Sequence, residues 1–183
     1  PPTDELLRAL DGEVPDGLRG RQAGRAQPGV GQEGLQPPGG LARLHALLDC
    51  TARADVPIDL AMIPQATTPA LAATLCTRID AAPGLIGVHQ HGFSHTNHET
   101  VERKCEFGPS RTHDAQREDL RAGRARLHDM FGARLDAIFT PPWNRCSATT
   151  PPLLAALGYA ALSRDRRAKA QQALPEIAVD LDW

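Results

Sequence analysis

Four of the seven histidines in the chain fall within one ten-residue window and are His89, His91, His95 and His98. Neutral imidazole suits zinc and other late divalent ions. His91 and His95 are four residues apart, so one helical turn of backbone would let both rings reach the same ion. Gly92 allows the backbone to bend directly after the first of them. We therefore predict that His91 and His95 bind a metal, against the alternative of a solvated loop whose histidines form only local hydrogen bonds.

A second polar segment has the sequence Phe-Thr-Pro-Pro-Trp-Asn-Arg and runs from Phe139 to Arg145. Its two prolines restrict the backbone, so that Trp143, Asn144 and Arg145 present an aromatic ring, an amide and a guanidinium together. Sugars stack on aromatic rings and accept hydrogen bonds, which makes sugar recognition the functional interpretation. A rigid turn with Trp143 as a hydrophobic lid is the structural alternative.

Both segments directly follow apolar runs that predict β-strands. Strands are predicted over residues 57–63, 85–90, 135–140, 159–162 and 176–181, and helices over residues 41–54, 69–79, 114–131 and 152–157. This alternation from residue 41 onward indicates parallel strands with helices outside them, in either an open α/β sheet or a barrel. Ligands bind at the carboxyl ends of such strands, so we expect His91, His95 and Trp143 to face one cavity. His89 is expected within its strand, and His98 beside the metal ligands, where it could orient one of them.

The composition sets limits on the class of protein. The chain has 183 residues, of which 41% are hydrophobic and 23% charged, a balance typical of one soluble globular domain. A formal net charge of −2 gives no reason to expect nucleic acid or anionic lipid as a partner. No apolar run is long enough for a membrane span, and the first residues lack the pattern of a secretory signal. The four cysteines are scattered singly, which predicts reduced thiols in a cytoplasmic protein.

The amino-terminal part differs from the rest. A short helix is predicted over residues 3–10, and residues 14–40 are then mainly Gly, Pro, Gln and Arg without any periodic apolar face. Loop or disorder is the expectation for such a stretch. The predicted organisation is an irregular segment over residues 1–40, followed by a partial domain over residues 41–183.

Taken together, the motifs resemble a known family. His91-Gly-Phe-Ser-His95 resembles the His-x-x-x-His metal motif of the polysaccharide deacetylase (NodB-homology) superfamily. The continuation to His98, a Glu-Phe-Gly segment with Arg111 after it, and Pro-Pro-Trp-Asn-Arg resemble a bacterial branch of that superfamily. The likeness extends over residues 41–183. It implies a distorted (β/α) barrel, incomplete at its N-terminal side, that binds a divalent metal, zinc, and deacetylates N-acetylated sugars or polysaccharide.

The resemblance also implies roles for individual residues. His91 and His95 are the implied metal ligands, while Trp143 and Arg145 are the implied catalytic residues, lining the acetyl pocket and orienting the base. A further group is implied either to orient these residues or to contact the substrate, namely His98, Asn144, Glu106 and Arg111.

The chain departs from the family at the acids. The family's first motif is an Asp-Asp pair that supplies one metal ligand and the general base, and it should precede residue 41, where no such pair occurs. Asp59 is expected at the wrong end of its strand, and Asp180 and Asp182 are weak replacements. The family's late histidine, which protonates the leaving amine, has no counterpart. Either the gene is degenerate or its reading frame is shifted before residue 41.

The sequence therefore predicts an impaired deacetylase-like hydrolase. The alternatives are a catalytically inactive relative that binds metal or glycan, and an amidohydrolase that acts on small molecules with the same scaffold.

Overall fold

A computed structural model describes residues 40–101, 103–165, 167–168 and 173–179. The helix predicted over residues 3–10 lies outside these ranges, as do residues 14–39 of the stretch 14–40 that is predicted to be irregular, and Asp180 and Asp182. The chain divides into two compact units at the junction between Ile58 and Asp59. In the first unit the described part is helix α1 (Gly40–Arg53), as predicted, with a turn that leads to the first strand.

The second unit is built on a sheet of five strands, each of which the sequence predicts. They are β1 (Ile58–Met62), β2 (Ile86–His91), β3 (Leu135–Thr140), β4 (Ala161–Asp165) and β5 (Glu176–Val179). Their order in the sheet is the order of the chain. The pairs β2–β3, β3–β4 and β4–β5 are parallel. β4 begins two residues later than predicted, because the amide of Tyr159 still donates to Leu154 O (3.0 Å) at the end of the preceding helix.

The second unit contains three α-helices, and capping residues define the start of the first and the end of the second. The helices are α2 (Pro69–Ala81), α3 (His113–Phe131) and α4 (Thr150–Ala156), with 3₁₀ turns at Gly132–Arg134 and Pro142–Asn144. The hydroxyl of Thr68 accepts a hydrogen bond from Leu71 N (3.2 Å) at the start of α2, as its position before Pro69 predicts. Gly132 ends α3 at a φ of +57°.

Because the strands lie in chain order, the helices that connect them lie on one face of the sheet and leave the other face to different side chains. Each connection leads from one strand to its neighbour on the same side, and connections between parallel strands are right-handed. The connecting helices therefore lie on one face of the sheet. There Phe139 and Leu162 pack with Leu120, Leu154 and Tyr159 in the hydrophobic core. Side chains at alternate strand positions point to the other face. The predicted parallel α/β architecture is thus confirmed, and across the described residues the sheet is open, with β1 and β5 as its edges.

Within the part of the chain that the structure describes, no helix is both long and apolar enough to cross a membrane.

Candidate metal and ligand site

An open pocket of about 770 Å³ runs along the face of the sheet that points away from Phe139 and Leu162. It extends past the carboxyl ends of β2 and β3, and residues that alternate along the strands line it, as the two-residue strand period requires. The lining residues are Asp59, Ala61, His89, His91, His95, Ile138, Thr140, Pro141, Trp143, Asn144, Arg145, Ser163 and Ile177.

The two histidines predicted to bind a metal lie side by side in this pocket. His91 is the last residue of β2, and its ring centroid is 5.2 Å from that of His95. The ring of Trp143 is 4.5 Å from the His95 ring, with the planes inclined at 58°. The backbone joins the two segments, since the amide of Gly92 donates to Thr140 O (3.1 Å). The expected shared cavity is present, and the assignment of His91 and His95 as ligands stays a prediction.

Unusual backbone conformations gather at the same place. Among the described residues, four that are not glycine have a positive φ, and three of them line the pocket, namely His95 (+58°), Trp143 (+55°) and Asn144 (+57°). Such a conformation costs about 1–3 kcal/mol per residue and persists only where the surrounding structure enforces it, most often at functional sites. The concentration of these conformations around His95 and Trp143 makes the pocket the candidate functional site.

His91 has the electronic state that a metal ligand needs. Its Nδ1 is buried and has no hydrogen-bond partner within the described structure. Burial, followed by the neighbouring His95, lowers the pKa of His91 from 6.5 to about 4. The ring is therefore neutral near pH 7, and a buried nitrogen without a partner costs about 1–3 kcal/mol unless a ligand or ion satisfies it.

The described pocket offers two neighbouring imidazoles, those of His91 and His95, as candidate metal ligands. No group of three or more His, Cys, Asp or Glu that could hold an ion occurs among the described residues. A catalytic zinc site usually has three protein ligands.

The lowered pKa of His91 predicts a pH-dependent stability of the metal-free protein. The pKa of His91 is lower in the folded protein than in the unfolded chain. Its contribution to the free energy of unfolding is therefore complete above about pH 6.5 and is lost as the pH falls toward 4. One pH unit corresponds to about 1.4 kcal/mol, so the loss at this residue should approach about 3 kcal/mol. We expect urea unfolding of wild type and His91→Gln at pH 7 and pH 4 to show it, with the wild type losing more. Parallel losses in the two proteins would contradict the burial of a neutral His91.

The sequence did not predict a row of side-chain hydrogen bonds that lines the pocket along the sheet. His89 Nδ1 lies 2.8 Å from Asp59 Oδ1, and His89 Nε2 lies 2.7 Å from Thr140 Oγ1. The structure agrees that Asp59 is near the start of its strand, yet it places Asp59 beside His89 in the same pocket as His91. The available signal was the strand period, which puts His89 and His91 on one face of β2.

The remaining predicted site residues separate into two groups. Asn144 and Arg145 line the pocket, and Arg145 Nη1 donates to Lys104 O (3.3 Å). His98 is exposed and lies outside the lining, with its backbone amide bonded to Cys105 O (3.0 Å). Arg111 also lies outside it, in an ion pair with Asp119 of α3 (2.7 Å).

Glu106 is fully buried behind the pocket wall, where it does not contact the cavity. Its carboxylate accepts hydrogen bonds from the amides of Phe93 and Ser94. The structure thus connects it with the backbone between the two histidines.

No family model matches the sequence, and no curated protein matches it. A similar solved structure is described as a "putative polysaccharide deacetylase from Mycobacterium smegmatis", with 19% identity and a TM-score of 0.44. The match covers 69% of this chain and 44% of that chain, so the present chain spans less than half of that protein's length. A likeness at this level establishes neither a family nor an activity.

Proposed function

We propose that this chain carries a metal-dependent, deacetylase-like hydrolase site for N-acetylated sugars or polysaccharide, with impaired hydrolysis. The observation that carries the proposal is the pairing of His91 and His95 in one pocket, 5.2 Å apart between ring centroids and beside Trp143. Strand order supports a further proposal, that the sheet is a segment of a distorted (β/α) barrel, because neighbouring strands follow the chain without reversal. All four cysteines are free thiols, which supports the proposal of a cytoplasmic location.

His91 and His95 would hold the ion, which we propose to be zinc. When bound, such an ion polarises a carbonyl and lowers the pKa of a water molecule. The buried, unpartnered Nδ1 of His91 supports this role, because a neutral imidazole there has a nitrogen left to satisfy.

Trp143, Asn144 and Arg145 would bind the sugar. The left-handed backbone at Trp143 fixes the ring against His95, so an acetamide at the histidines would contact an aromatic plane. Arg145 is tethered by Lys104 O, which limits the positions its guanidinium can take in the pocket. An aromatic ring with a few fixed polar groups is the usual composition of a small-ligand site.

The groups that the pocket offers support the proposed impairment. Two imidazoles leave a zinc ion one protein ligand short of the usual catalytic number. The carboxylate in the lining, Asp59, is bonded to His89 at 2.8 Å. It is therefore engaged with an imidazole rather than held ready to remove a proton from water.

A second candidate is a relative that binds metal or glycan without turnover. The engagement of Asp59 with His89 favours it, because that pair stabilises the pocket but leaves its carboxylate committed. The two candidates share a binding site and differ in the release of acetate.

An acetate-release assay tests the proposed function. We expect purified protein with zinc and chito-oligosaccharide to release acetate about 10²–10⁴-fold more slowly than a deacetylase with its general base. The residual activity should disappear in His91→Ala and His95→Ala but persist in His113→Ala, an exposed histidine outside the pocket. Oligosaccharide binding with no acetate release above background would favour the second candidate. Rapid acetate release that either pocket substitution abolishes would refute the impairment.

A further inference from the structure

A buried carboxylate holds the backbone between the two histidines of the pocket. Glu106 is completely buried, and within the described residues its three hydrogen bonds come from Phe93 and Ser94. One oxygen accepts from the amide of Phe93 (3.2 Å), and the other accepts from the amide (2.7 Å) and hydroxyl (2.9 Å) of Ser94. Two successive amides that converge on an anion form a concave binding site of the type called a nest.

The same turn is held from its other sides. We call residues 92–95 the histidine turn, because it leads from His91 to His95. The side-chain amide of Gln90, itself buried, donates to Gly92 O (2.8 Å). A Cβ at Gly92 would lie 2.1 Å from Glu106 Oε2 and 2.6 Å from Pro142 Cγ, so the turn is in close contact with both residues. The histidine turn therefore has little freedom to relax if one of these contacts is changed.

We infer that Glu106 is a positioning residue that keeps His95 in its left-handed conformation against Trp143. The positioning of His95 does not depend on the proposed function. Only the metal that His95 would bind rests on it. The Ser94 amide donates to Glu106 at 2.7 Å, and His95 follows Ser94 directly. This hydrogen bond therefore fixes the backbone next to His95, the residue with the positive φ. Groups that orient metal ligands typically change metal affinity about 10–100-fold when they are mutated.

Glu99 provides a matched control in the same loop. It is 7% exposed and accepts hydrogen bonds from the amide (3.1 Å) and hydroxyl (2.5 Å) of Ser110. None of these contacts involves the histidine turn. A general weakening of the loop should therefore follow from either Glu99→Gln or Glu106→Gln, whereas loss of the His95 position should follow only from Glu106→Gln.

The test combines two measurements on the full chain. In metal-free protein, the ring protons of His95 should be shifted in the NMR spectrum by the Trp143 ring, which is 4.5 Å away. Glu106→Gln puts an amide donor opposite a backbone amide, so we expect it to reduce that shift and to weaken zinc binding about 10–100-fold. Glu99→Gln should retain both the shift and the zinc affinity of wild type.

Each outcome decides the matter. The inference would be overturned if Glu106→Gln kept the His95 chemical shifts and the zinc affinity of wild type. If wild type binds no zinc but Glu106→Gln alone loses the His95 shift, the proposed function fails and the positioning role stands. Should Glu106→Gln not fold, Ser94→Ala removes one of the three hydrogen bonds and is expected to reduce the shift partially. An unchanged shift in Ser94→Ala would then count against the inference.

Discussion

Replacing His91 or His95 by alanine is expected to lower the affinity for zinc by more than the about 10–100-fold that is typical of residues which only orient a ligand. The pocket brings two imidazoles within 5.2 Å of each other, so either substitution leaves a single ring to hold the ion. Calorimetric titration of zinc into metal-free protein near neutral pH measures the effect. Both substitutions should act alike, because each removes one of the two imidazoles of the pair.

His113→Ala is the matched control for this prediction. His113 is an exposed histidine at the start of α3 and lies outside the pocket, so its loss should leave zinc affinity unchanged. An equal loss of affinity in all three variants, or none in any of them, would contradict a site at His91 and His95.

Gly92→Ala is expected to have the largest effect on stability, about 2–5 kcal/mol. Alanine is strained at the φ of +55° found there, and its Cβ would lie 2.1 Å from Glu106 Oε2 and 2.8 Å from Pro142 Cδ. Both neighbours are fixed, since Glu106 is hydrogen bonded to the histidine turn and Pro142 is buried. The turn must shift to make room, so zinc affinity should fall together with the free energy of unfolding.

Gly84→Ala separates backbone strain from the steric clash. Gly84 also has a positive φ, +82°, but a Cβ at this position would have no atom within 4 Å. We therefore expect a loss of about 1–2 kcal/mol and unchanged zinc affinity. Urea unfolding of the two variants gives the comparison. A Gly92→Ala protein no less stable than Gly84→Ala would show that the histidine turn can move freely.

Elements with strong local signals could be predicted from the sequence. Thr68 and Pro69 fixed the start of α2, and the apolar run before Pro141 gave β3 its bounds of Leu135–Thr140. The placement of His91 and Trp143 in one pocket could also be predicted, because His91 ends one strand and Trp143 follows its neighbour at the same edge of the sheet.

Features that depend on contacts distant in the chain could not be predicted. Asp59 of β1 is hydrogen bonded to His89 of the neighbouring strand β2. On its other side, β2 pairs with β3 with a shift of register between Val88 and Gln90, at the position of His89. Strand register is set by packing of the whole sheet, so the position of Asp59 along β1 alone was misleading. The burial of Glu106 likewise depends on a turn thirteen residues earlier in the chain.

Anomalous diffraction at the zinc absorption edge tests most directly whether His91 and His95 together hold a divalent metal. Crystals grown with zinc should show an anomalous peak between the two rings, about 2.0–2.1 Å from one nitrogen of each. Trp143 should lie beside the peak, given its contact with His95. A pocket without a peak at saturating zinc, or an ion bound by other residues, would contradict metal binding by this pair.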